Sequence, residues 1–91
     1  MKKLIIAKCA TCEGHRLQYM LLKDSNGYLI QCTAFDINKR LVSQYCTAPL
    51  AFEKKVVMEF FELLVENCVF PVHIKEILCD CLGDTFATVS A

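Results

Sequence analysis

Residues 16–23 and 28–35 place Leu17, Tyr19 and Leu21 on one side, and Tyr28, Ile30, Cys32 and Ala34 on the other, of the sequence Asp24-Ser25-Asn26-Gly27. Large or apolar side chains at every second position are the pattern of a β-strand with one face turned inward. Asn-Gly readily takes the positive φ angles of a tight turn, so the two runs are predicted to pair as a hairpin. The alternate positions are bulky too, and the sheet is expected to be covered on one face and only partly wet on the other. Residues 3–8 read as a strand ahead of the hairpin, ending in a turn over residues 9–14. Residues 36–42 read as a turn and a short fourth strand.

From Pro49 the period lengthens. Thr47 stands where it can cap a helix and proline is tolerated in a first turn, so a helix is predicted to open at residue 49 and to have its body over residues 56–67. Along that body Lys55, Glu59, Glu62 and Glu66 form one narrow polar stripe, and nearly everything else is apolar. A helix with so thin a polar face must be buried around most of its circumference. Pro71 ends it and opens a second helix over residues 72–82, with Ile74, Ile77, Leu78, Cys81 and Leu82 inward and Gly83 as the residue after the C-cap. Residues 84–91 alternate weakly and form a tail or an edge strand. The expected fold is α+β: an antiparallel meander of three or four strands followed by two helices packed on one face. It forms one domain, residues 1–91, strand-rich over 1–45 and helical over 47–83.

Composition sharpens the question of what covers the long helix. In 91 residues, 55% are hydrophobic and the mean hydropathy is +0.37, while a chain this short buries only about 60–65% of its unfolded surface. Some apolar surface must therefore face outward. No run reaches the ~20 apolar residues of a membrane span, since Glu59 and Glu62 interrupt the best candidate. The apolar run after Lys2 and Lys3 falls short of the ~7 residues of a signal peptide. No membrane is implied, and the expected location is the cytoplasm. Seven cysteines are an odd number, which suits free thiols in a reducing compartment better than a disulfide framework.

The cysteine spacing carries the best motif. Cys9-Ala10-Thr11-Cys12 is an intact C-x2-C pair, and Cys32 follows at the distance of a second pair whose other position is Phe35. Cys9, Cys12 and Cys32 with His15 would complete a Cys3His zinc site, a pattern that resembles a zinc ribbon. With Cys46 in place of His15 the order of knuckle, hairpin and helix start resembles a treble clef. Either would make zinc a cofactor. It would also make the chain a degenerate zinc-ribbon-like nucleic-acid binder, using Tyr19, Lys23 and Tyr28 on a half, residues 1–40, that carries a net charge of +4 against −4 for residues 41–91. Catalysis has less behind it: no paired carboxylates, no phosphate loop and no strained serine turn are present. A thiol nucleophile would have to draw on His15 near Cys12 or His73 near Cys79.

The apolar helix favours a different role. Phe52, Met58, Phe60, Phe61, Leu64 and Phe70 are the aromatic and methionine anchors that dominate interfaces, and apolar patches on small chains mark contact sites. The expected function is a small non-enzymatic protein-binding module, an adaptor or inhibitor of the kind phages and plasmids encode. Its partner would be another protein or a second copy, with a homodimer favoured.

Overall fold

A computed structural model describes the backbone of residues 2–82 and the side chains of residues 2–80. The weakly alternating tail, the Gly83 cap and the inward placement of Cys81 and Leu82 lie outside the described residues. Within them the chain is α+β: strands β1 (Lys3–Cys12), β2 (His15–Asp24), β3 (Gly27–Phe35) and β4 (Leu41–Cys46), then helices α1 (Lys54–Glu66) and α2 (Pro71–Leu82). The strands form one antiparallel sheet in sequence order.

Two-residue turns set the registers. Between β1 and β2, Glu13 and Gly14 take φ of +50° and +78°, the double positive φ of a type I′ hairpin. Between β2 and β3 the turn body is Ser25-Asn26, and the positive φ falls on Gly27 alone, at +142°. There the Asp24 carboxylate accepts the backbone N–H groups of Asn26 (2.7 Å) and Gly27 (3.1 Å), a side-chain bond typical of turn aspartates. The resulting pairs, Ala10 with Leu17 and Tyr19 with Cys32 among them, send Leu17, Tyr19, Leu21, Tyr28, Ile30, Cys32 and Ala34 to one buried face.

Both helices lie on that face. Val57, Phe60, Phe61 and Leu64 of α1 and Ile74 and Leu78 of α2 complete a core that joins strands to helices. The Tyr19 ring meets Phe61 edge to face at 6.4 Å, and its hydroxyl donates to the Val69 carbonyl at 2.8 Å, so this buried polar atom is satisfied.

The helix starts later than its proline suggests. After β4 the chain stays bonded to the sheet: Leu50 exchanges two backbone hydrogen bonds with Tyr28, of 3.0 and 2.7 Å, and its side chain enters the core. Thr47 caps no helix. Its buried hydroxyl accepts the Ile30 N–H at 3.1 Å, holding the end of β4 to β3. At the other end of α1, Cys68 N–H bonds the Val65 carbonyl and Val69 N–H the Leu64 carbonyl, the pair of bonds of a Schellman motif. Cys68 fills its left-handed position at φ +49°, where glycine is usual.

Candidate functional site

The zinc set is not assembled. β1 runs through Cys12 without a knuckle, so Cys9 pairs with Gln18 and Cys12 with His15. Three extended residues separate their Cα atoms by about 10 Å and send their side chains to opposite faces. Cys9 is exposed on the open face, Cys12 is half-buried under the helices and Cys32 is fully buried. The His15 ring stacks edge to face on Phe70 at 5.3 Å, with Nδ1 3.2 Å from the Glu13 carbonyl oxygen and donating in the tautomer protonated there. Cys46 is exposed at the end of β4. Among the described residues no three His, Cys, Asp or Glu side chains are grouped to hold a metal ion. The C-x2-C spacing is therefore a strand that contains two cysteines.

One cluster of thiols does form, around Tyr19. Burial pushes the Cys32 thiol up to about 12 and holds the Tyr19 hydroxyl well above its ordinary value, with Cys32, Cys68 and Cys12 adding to the rise. Cys12 is raised by burial and then by the neighbouring Cys68 thiol. These shifts all favour the protonated forms, the opposite of what an activated thiol nucleophile needs. Tyr19 cannot stack on a base, because none of it is exposed. Lys23 lies over the Tyr28 ring at 5.1 Å, a pairing internal to the chain.

The expected interface turns inward. Phe60, Phe61 and Leu64 are 4%, 0% and 0% exposed, enclosed by the sheet on one side and by α2 and Val69 on the other. Phe52, Met58 and Phe70 are half-buried against the same core. Of the large apolar side chains of α1, Val56 and Leu63 remain exposed. Beyond the sheet and α2, the segments that enter and leave α1 add cover, supplying Leu50 and Val69 to the buried set.

The surface left uncovered is the far face of the sheet. By register it carries Leu4, Ala7 and Cys9 from β1, Gln18, Met20 and Leu22 from β2, Leu29, Gln31, Thr33 and Phe35 from β3, and Leu41, Gln44 and Cys46 from β4. Leu4 and Leu41 are more than half exposed, whereas Leu29 and Thr33 are almost covered by their neighbours. Between the turns Arg16 is its one charged side chain among the described residues. An exposed sheet face is ordinarily studded with charged and polar residues. This one is apolar and amide, with an extent of four strands by about eight residues, roughly 500 Å2.

At the end of this face near the β1–β2 turn, the loop of residues 36–40 rises beside it and closes one wall of a cleft of about 620 Å3, lined by Thr11, Arg16, Gln18, Phe35, Ile37 and Lys39 among others. A family model described as a family of unknown function, DUF6514, matches residues 1–84. The chain belongs to DUF6514. No curated protein and no solved structure matches it. No helix of the described residues of this DUF6514 chain is long and apolar enough to cross a membrane.

Proposed function

We propose that this chain is a small, non-enzymatic protein-binding module that works through the uncovered face of its sheet, and that the partner on that face is a second copy of the chain. The observation that carries the reading is the near absence of charge on an exposed face of four strands, with Met20, Leu22 and Leu41 spread across it. A charged face placed against its own copy brings like charges together, whereas an uncharged one meets no such repulsion. Two faces of roughly 500 Å2 bury about 1,000 Å2 together, more once side-chain relief is counted, which is the low end of specific interfaces. Such an interface gives a dimer with a Kd of micromolar order. The thiol-rich composition suits the cytoplasm, where such side chains stay reduced.

Sedimentation velocity over a concentration series from about 5 to 500 µM, spanning that Kd, tests the reading. The sedimentation coefficient should rise from that of a 10.3 kDa monomer toward that of a dimer. Met20→Glu, on a half-buried position of the open face, should hold the chain monomeric while its circular dichroism stays unchanged. A wild-type chain that is monomeric across the whole series would overturn the proposal.

A further inference from the structure

Three residues around the cleft at the end of the open face are set apart by exposure, backbone conformation or lack of an ion pair. Ile37 is 83% exposed, an apolar side chain held out on a loop. Lys39 sits at φ +64°, a conformation that glycine or asparagine adopts at lower cost. Arg16 has no carboxylate within ion-pair distance among the described residues; its one contact there is with the Cys9 sulfur at 3.8 Å. Lys39 likewise has no carboxylate partner among them. All three line the same 620 Å3 space, and the Phe35 side chain lines it with them.

The loop is built rather than slack. The Asp36 carboxylate accepts the backbone N–H groups of Asn38 (2.8 Å) and Arg40 (2.9 Å), while Asp36 N–H bonds the Arg40 carbonyl and Lys39 N–H the Asp36 carbonyl. The one acid of the cleft is therefore held by its own loop and pairs with neither cation, so Arg16, Lys39 and Asp36 leave the cleft a net charge of +1. His15 also lines the space, and its ring packs edge to face on Phe70. The cleft thus combines an apolar wall and an aromatic side chain with two cations, and its volume lies in the ~300–1,000 Å3 range of small-molecule sites.

We infer that this cleft binds a small anion bearing a planar ring, with the ring against Phe35 and Ile37 and the anionic group between Arg16 and Lys39. Guanidinium and ammonium groups recognise carboxylate and phosphate alike, so the two sources of that chemistry are a nucleoside monophosphate and an aromatic carboxylate. The inference does not rest on dimer formation. The cleft lies at one end of the face, and its cations are outside the neutral patch around Met20 and Leu29.

Titration of the full-length 15N-labelled chain with AMP, indole-3-acetate, adenosine and inorganic phosphate separates the alternatives. One or both ring-bearing anions should shift the amides of Gly14, Phe35, Ile37 and Lys39, with a Kd of sub-millimolar to millimolar order. Phosphate and adenosine should each bind at least fivefold more weakly, because each lacks one half of the recognised chemistry. Arg16→Gln should weaken binding roughly fivefold to tenfold. Lys39→Gly removes the second cation and relieves the left-handed backbone, so it should fold at least as well as the wild type and still bind more weakly by a similar factor. Equal binding of adenosine and AMP, equal binding of phosphate and AMP, unchanged affinity in both variants, or no shift with any probe at about 5 mM would each overturn the assignment. The first sedimentation series fails or succeeds independently of this one, since neither variant touches Met20.

Discussion

Replacing Gly27 by alanine reaches the point where the sheet, the turn and the linker to α1 meet. Gly27 adopts φ +142°, a region that side chains rarely enter, and a Cβ built there falls 2.6 Å from the Leu50 carbonyl oxygen and 2.9 Å from its carbon. Both are backbone atoms, fixed by the two hydrogen bonds between Leu50 and Tyr28, so no side chain can swing aside to make room. Backbone strain of this kind costs about 1–3 kcal/mol, and moving Leu50 away gives up at least one hydrogen bond worth about 1 kcal/mol. The expected loss is therefore about 2–4 kcal/mol, a large part of the roughly 5–14 kcal/mol that holds a domain of this length together. In urea, with a slope near ~1.5 kcal/mol/M, the unfolding midpoint should fall by about 2 M. Gly14→Ala is the control: its φ is +78° but nothing lies within 4 Å of the added carbon, so it should cost only about 1 kcal/mol. A Gly27→Ala midpoint no lower than that of Gly14→Ala would refute the close approach of Leu50 to the turn.

Three further outcomes bear on the core. Tyr19→Phe removes the hydroxyl that donates to Val69 and leaves that carbonyl with only the 3.9 Å Cys32 thiol contact, so urea unfolding should show a loss of about 1–2 kcal/mol. Cys68→Gly relieves the left-handed strain in the Schellman turn at some cost in chain entropy, for a net gain near ~0.5 kcal/mol; a loss above ~1 kcal/mol would mean that the thiol contact with Cys12 outweighs the strain. Cys32 binds its proton more tightly folded than unfolded, its value rising from 9.0 to about 12. Stability should thus be independent of this group below its unfolded value and fall as pH rises from about 9 toward 12, by at most ~1.4 kcal/mol per unit. Tyr19, also raised, acts in the same direction at higher pH. Thermal melts between pH 7 and 11 check this, and stability that climbs through the window would contradict it.

The hairpin and its buried face were legible because period-two alternation is local, and Leu17, Tyr19, Leu21, Ile30 and Cys32 all end in the core. The order of a meander before two helices followed from the change of period at Pro49, whereas the fourth strand, expected within residues 36–42 as one of three or four, lies at Leu41–Cys46. What escaped it depended on contacts distant in sequence. Pro49 looks like a helix start until Leu50 pairs with Tyr28, which holds the chain extended and delays α1 to Lys54. Cys9 and Cys12 look like a knuckle until Glu13 and Gly14 are seen to make the turn alone and to prolong β1 past both cysteines. The face that carries the proposed function was visible only as bulk at the alternate positions. Uncharged Gln18, Gln31, Thr33 and Gln44 between apolar neighbours were its signal, and the register that unites them across four strands is not written in any one segment.

Isotope-filtered NOE spectroscopy on an equal mixture of labelled and unlabelled chains at about 0.5 mM, well above a micromolar Kd, asks directly which surface touches a second copy. Cross-peaks between copies are predicted from the methyl groups of Met20, Leu22 and Leu41. Intermolecular cross-peaks confined to Val56, Leu63 and Val72 on the helices, or none at all, would contradict the account.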